Sequence, residues 1–136
     1  MDIIRRNTDY ALRAMVHLAN CYGSGPESTK TIATAENVSY QLCCKLMQKL
    51  NKAGLVQSCM GVKGGFELSR DPAQIDLLEI IETIQGPLSV NRCVLGQNAC
   101  ENEAICPVCV KLSELQGDMT SYLGNTSLQD VIGLGG

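Results

Sequence analysis

Between Ser39 and Arg70 the chain switches from a helical to a two-residue period across one glycine, and few folds accommodate that switch. Ser39 is a helix-capping residue type, and after it Leu42, Cys43, Leu46, Met47, Leu50 and Ala53 fall on one helical face. Gln41, Cys44, Lys45, Gln48, Lys49 and Lys52 fall on the opposite face. Gly54 supplies the left-handed stop. Leu55 and Val56 then open an extended run, Gly61-Val62-Lys63-Gly64-Gly65 forms a glycine-rich tip, and Phe66 and Leu68 return with alternating polarity. The pattern predicts a helix with a lysine-bearing outer face that runs straight into a β-hairpin.

Upstream, Tyr10, Ala11, Ala14, Met15, Leu18, Ala19 and Tyr22 recur at helical spacing and predict a helix over about 7–22, ended by Gly23, Gly25 and Pro26. Thr31 to Glu36 reads as a second helix of under two turns, with Asn37 as its C-terminal cap. Helix, short helix, helix and hairpin in that order make a winged helix-turn-helix, whose recognition helix enters a DNA major groove while the wing lies along the backbone or minor groove. On that pattern Ser39 starts the recognition helix. Tyr40, Gln41, Cys44 and Lys45 face base edges or nearby phosphates, and Lys49, Lys63 and Arg70 face the backbone.

Charge decides between this reading and an ordinary solvated helix face. Residues 1–70 carry nine Lys and Arg against five Asp and Glu, and residues 71–136 carry two against nine, giving nets of +4 and −7. The first half suits phosphate and the second would be repelled by it.

Beyond the hairpin, Asp76-Leu77-Leu78-Glu79 is an N-cap with a capping-box glutamate, followed by Ile80, Ile81 and Ile84 in a helix that Gly86-Pro87 ends. Leu88 to Ile105 has no clear period. From Pro107, the residues Val108, Leu112, Leu115, Met119 and Tyr122 are spaced 4, 3, 4, 3, a heptad seam that needs a partner helix. A dimer interface is expected there, the alternative being packing onto the domain's own core. A short helix opens at Thr126 or Ser127, and Gly133 to Gly136 is expected to fray. The fold class is mainly α with a small β-hairpin wing. A winged helix-turn-helix region occupies 1–87, a cysteine-bearing loop 88–106, and a long dimerisation helix with a C-terminal segment 107–136.

Eight cysteines in 136 residues require a reason. A chain this long buries roughly two thirds of the surface its unfolded form exposes, so it folds without cross-links. No apolar run reaches the ~20 residues of a membrane span, and no apolar stretch follows Arg5 and Arg6 as a secretory leader requires. A cytoplasmic location without a membrane partner is expected, and there thiols stay reduced.

Cys93, Cys100, Cys106 and Cys109 fall in 17 residues with the spacing C-x6-C-x5-C-x2-C. Thiolates so placed in an irregular loop can wrap a soft metal centre, and the wide spacing suits an iron-sulfur cluster better than zinc, which usually takes two close pairs. Two other readings remain open. One is a zinc-stabilised DNA-binding or scaffold protein. The other is a thiol-disulfide redox protein using Cys106-Pro107-Val108-Cys109, though the βαβ setting of that chemistry is missing.

Of the remaining cysteines, Cys21 and Cys43 read as small core residues, and Cys44 and Cys59 as inert thiols on the recognition face and wing. His17, the only histidine, lies one position off the apolar stripe, with no carboxylate nearer in sequence than Asp9. It is expected at the helix surface rather than as a ligand. No serine, histidine and acid set and no phosphate loop points to an enzyme.

The segments TDYALRAMVHLA, the IA before the recognition helix, LNKAGLVQS and GVKGGFELSR, with the cysteines downstream, resemble the Rrf-two family of bacterial winged-helix transcription regulators over nearly the whole chain. The resemblance implies a homodimer whose long helices cross, a double-stranded DNA operator as partner, and a cluster that tunes DNA binding in response to iron-sulfur status, iron, nitric oxide or redox state. It implies repression as the output and Cys93, Cys100 and Cys106 as three thiolate ligands.

Two departures follow, one at the fourth ligand and one in the wing. Cys109 stands where IscR-like members place a histidine, and Asp9 where NsrR-like members draw a carboxylate from the first helix of the partner subunit. Cys109 would complete a two-iron (2Fe-2S) cluster within one subunit, and Asp9 a four-iron (4Fe-4S) cluster across two. Cys109 and the two-iron cluster are preferred, because a thiolate is the softer ligand and lies one helical turn from Cys106. In the wing, Met60 replaces an arginine of IscR-like members, and Lys63 restores its charge but not its planar fork. CymR-like members lack the cysteine trio.

Overall fold

The computed structural model describes residues 2–90 and 106–135. Helix α1 (Arg6–Asn20) buries Ala11, Ala14, Met15, Leu18 and Ala19. It ends before the sequence pattern does. The N–H of Cys21 donates to the His17 and Leu18 carbonyls, leaving Cys21 half-buried and Tyr22 exposed.

Helix α2 (Thr29–Ala35) starts two residues earlier than expected because the Ser28 hydroxyl accepts the Thr31 N–H at 3.1 Å and caps it. Asn37, with φ of 55°, is the one non-glycine residue among those described in the left-handed region, and it turns the chain into α3 (Tyr40–Lys52). Ser39 caps α3 by accepting the Leu42 N–H at 3.2 Å. Cys43, Leu46, Met47 and Leu50 point inward as the period predicts.

Gly54, with φ of 81°, releases the chain into the wing. Strands β1 (Val56–Cys59) and β2 (Gly65–Leu68) pair antiparallel with Val56 opposite Leu68 and Cys59 opposite Gly65. A third segment joins this hairpin. The Glu27 N–H donates to the Phe66 carbonyl at 2.9 Å and the Phe66 N–H to the Glu27 carbonyl at 2.8 Å. A side chain at position 65 would forbid that approach, since its Cβ would lie 2.1 Å from the Glu27 carbonyl oxygen.

A 3₁₀ turn (Pro72–Gln74) leads to α4 (Leu77–Gln85), which opens with the reciprocal cap read from sequence. Asp76 Oδ1 accepts the Glu79 N–H at 2.9 Å, and Glu79 Oε2 accepts the Asp76 N–H at 3.2 Å. Met15, Ile32, Met47, Leu50, Leu55, Ile75 and Ile80 form one fully buried core.

Helix α5 (Pro107–Gly124) projects from this core, and Cys109 is its one buried residue. The chain then returns as α6 (Leu128–Gly135), capped by Ser127, whose hydroxyl accepts the Asp130 N–H at 3.1 Å. Leu128 is fully buried within the core of the first 80 residues, its N–H donating to the Ile75 carbonyl at 2.9 Å. Burying one leucine is worth about 1.5–3 kcal/mol. The final helix, grouped with the dimerisation helix on sequence alone, thus shares the core of the winged helix. It stays helical through Gly135, beyond the point where fraying is expected.

Candidate nucleic-acid interface and thiol site

With the apolar face of α3 committed to the core, its outer face is open to solvent. Ser39, Gln41, Lys45, Gln48, Lys49 and Lys52 are exposed, Tyr40 is 57% exposed, and Cys44 is half-buried one turn from Tyr40. A hydrogen bond with Cys44 pushes the Tyr40 phenol up from its ordinary value. Lys63 stands at the wing tip beside the fully exposed Met60 and Val62. Among the described residues no acid pairs with Lys45, Lys49, Lys52 or Lys63, which leaves their charge available to an anionic partner.

Two residues adjoin this surface that the sequence reading missed. Arg5 and Arg6 line a polar cleft of about 430 Å³ with Asn7, Thr8 and Lys49, so the start of α1 adds two cations next to the recognition helix. The adjacent arginines are visible in the sequence, but their nearness to Lys49 depends on how α1 crosses α3.

Arg70 is placed differently from the other cations. Its guanidinium donates to the Gln74 carbonyl at 3.1 Å and to Glu79 Oε1 at 3.0 Å, bracing the end of the wing against α4. Burial works to raise the Glu79 carboxyl, and Arg70 with the Asp76 N–H outweighs it and holds the group below its ordinary value. Burial moves Asp76 the other way, upward.

Cys93 and Cys100 lie outside the described residues. Cys106 is half-buried at the N-cap of α5, with Pro107 at the first helical position, and Cys109 is buried one turn later. The cysteine segment is also tied at its other end to the same helix. Gln116 accepts the Val90 N–H at 2.9 Å and donates its amide to the Leu88 carbonyl. Cys106 and Cys109, one helical turn apart, are donors of the type a soft metal centre takes. Asp9 sits half-exposed in the first turn of α1, accepting from Arg13 at 3.0 Å.

Val108, Leu115 and Tyr122 on α5 are 62%, 48% and 71% exposed, while Leu112 and Met119 are half-buried. Three of the five seam residues are thus open to solvent on this chain, and two pack partly against it. Beside it runs an apolar groove of about 560 Å³ formed by Ile3, Ile4, Leu88, Met119, Tyr122 and Leu123.

The other thiols divide by environment. Cys43 is buried and pushed up to about 11, chiefly by that burial with Cys44 adding, which makes it inert as expected. Cys59 donates to Glu67 Oε1 at 3.4 Å and is likewise held protonated, by burial first and then by that carboxylate.

Cys21 and His17 depart from expectation. Cys21 is not core but half-buried beside Glu27, and its thiol is raised by burial and by that carboxylate. His17 is not a surface residue. Its side chain is only 19% exposed, Nδ1 lies 3.7 Å from Glu36 Oε2, and Nε2 is buried without a hydrogen-bond partner among the described residues. Both glutamates come from segments that only the fold brings to α1, so proximity along the chain could not reveal them.

The family model for Rrf2, described as an iron-dependent transcriptional regulator, matches residues 4–133. The chain belongs to the Rrf2 family. It is 30% identical over 123 residues to the HTH-type transcriptional regulator IscR of Xenorhabdus nematophila, covering 90% of this chain and 74% of that protein. The IscR structure from T. potens superposes with a TM-score of 0.81 at 26% identity, over 98% of this chain and 88% of that one. CymR, the global cysteine regulator of B. subtilis, superposes with a TM-score of 0.79 at 30% identity, over 96% of each chain. This Rrf2 protein is a winged-helix transcriptional regulator with a long C-terminal helix, and not an enzyme. No helix among the described residues is long and apolar enough to cross a membrane.

Proposed function

We propose that this Rrf2 protein is a homodimeric, cytoplasmic repressor that binds a double-stranded DNA operator and is governed by an iron-sulfur cluster, sensing iron-sulfur status, redox state or nitric oxide. One observation carries the reading. Cys106 and Cys109 stand one turn apart at the start of α5, and Leu88 and Val90, which precede Cys93 in the chain, hydrogen-bond Gln116 of the same helix. Cys93, Cys100, Cys106 and Cys109 would hold a two-iron cluster, with Asp9 the alternative fourth ligand for a four-iron one. A cluster bound there supplies one-electron redox chemistry and sensitivity to iron loss.

The chain's own residues carry the consequence to DNA. Gln116 ties the segment's entry to α5, α5 packs on α4, and the Glu79–Arg70 pair links α4 to the wing. A second copy covering the row from Val108 to Tyr122 sets the spacing of two recognition helices, which must match half-sites about 34 Å apart. Only a difference in affinity for two such arrangements can shift DNA binding.

The test is purification without oxygen, followed by iron, sulfide and zinc determination per chain. Coloured protein with iron and labile sulfide in equal amounts supports the reading. Colourless protein with stoichiometric zinc, or metal-free protein with a reversible disulfide, overturns it.

A further inference from the structure

We propose that His17, Cys21 and Glu27 form a second metal site, for a divalent cation of the zinc class, which joins α1 to the wing. A ring nitrogen of His17, Sγ of Cys21 and a carboxylate oxygen of Glu27 all lie within 4.8 Å of one another. Tetrahedral zinc with bonds of about 2.0–2.3 Å needs donors about 3.3–3.8 Å apart, so contraction by about 1 Å closes the shell. Nitrogen, sulfur and oxygen are the donors zinc takes, and a neutral imidazole with a thiolate and a carboxylate balances a double positive charge. The fourth position is left to water.

The surroundings of the triad are those of a ligand set. His17 and Cys21 are four residues apart, and the Cys21 N–H donates to the His17 carbonyl at 3.2 Å, so the helix end fixes their relative position. Glu27 is held by its two backbone hydrogen bonds to Phe66, which the missing side chain at Gly65 permits. Glu36 lies 3.7 Å from His17 Nδ1. On the other side of the ring, Nε2 is buried and lacks a protein partner among the described residues. A carboxylate behind a ligating histidine is the usual orienting device of zinc sites. When the cation enters, the Cys21 thiol releases its proton to solvent as the metal–sulfur bond forms, and no electron is transferred.

One ligand would thus come from α1, one from the residue that ends it and one from the segment paired with β2, so occupancy stiffens the attachment of the wing. The site uses none of the cysteines between 93 and 109, and its existence is independent of the cluster.

The experiment uses the full chain with Cys93, Cys100 and Cys106 replaced by serine, and Co²⁺ alone as the probe without oxygen. The expected result is one Co²⁺ per chain with thiolate-to-cobalt charge-transfer absorption, displaced by Zn²⁺. Adding Cys21→Ser abolishes that absorption, and adding His17→Gln or Glu27→Gln weakens binding at least tenfold. Adding Glu36→Gln weakens it about tenfold. Circular dichroism monitors folding throughout. As a second measurement, Cys21→Ser alone should bind one Zn²⁺ fewer per chain than the unsubstituted protein. A folded triple-serine chain that binds no Co²⁺, or binding that is unchanged by Cys21→Ser in either background, overturns the site.

Discussion

Arg70 and Glu79 meet at 3.0 Å and tie the end of the wing to the first turn of α4. Both are more than a third exposed, so the pair is worth about 0.5–1 kcal/mol at most. The folded state holds Glu79 below its ordinary value, so this stability is present above the unfolded carboxyl value of about 4.3 and is lost as pH falls through the folded one. Arg70→Met should lower Tm by a few degrees at pH 7 and by little at pH 3, as read by circular dichroism melts. An equal drop at both values would deny the pair its role. Because the guanidinium is engaged within the chain, the same variant should leave the salt slope of DNA binding unchanged.

Lys63 and Gln41 should fail in different ways. Lys63 at the wing tip contributes charge, so Lys63→Ala weakens all duplexes alike and lowers the salt slope by about one. Gln41 in the first turn of α3 can reach base edges, so Gln41→Ala relaxes preference among sequences. Titration of specific and random duplexes at several salt concentrations separates the two. Unchanged affinity in both variants would remove this face as the DNA-reading surface.

Leu115 is 48% exposed on its own chain, so Leu115→Glu should fold normally. In a self-paired seam the same change buries a charge against its own copy and should yield monomers with weak operator binding. Sedimentation at micromolar concentration checks it. A persistent dimer would place the interface elsewhere.

Cys109 and Asp9 compete for one coordination position. If Cys109 supplies the fourth thiolate, Cys109→Ala reconstituted without oxygen loses iron and sulfide or changes its spectrum, while Asp9→Ala, which breaks only the pair with Arg13, keeps both. The opposite pattern would assign the carboxylate and a cluster shared between subunits.

What could be read from the sequence was local. Ser39, Asn37, Gly54 and the Asp76–Glu79 cap act over three or four residues, and each appears where the spacing put it. The hidden parts depend on contacts between distant segments. In sequence Arg70 reads as one more basic residue beside the wing, since nothing in its neighbourhood along the chain reveals Glu79 nine residues on. His17 looked solitary because Glu27 and Glu36 reach it through the turn after α1 and through α2. The cysteine spacing needed no fold to be seen, but the anchoring of its segment through Gln116 did.

The burial of Leu128 against Ile75 also orders events during synthesis. On the ribosome the chain emerges from its first residues onward, and Leu128 follows α5. The hydrophobic centre of the winged helix therefore gains its last residue only after α5 has been made. A chain that ends before α6 forgoes the burial of Leu128, worth about 1.5–3 kcal/mol, so its winged helix is less stable than that of the full chain. The stability of the winged helix is thus coupled to the synthesis of the helix that bears Cys106 and Cys109.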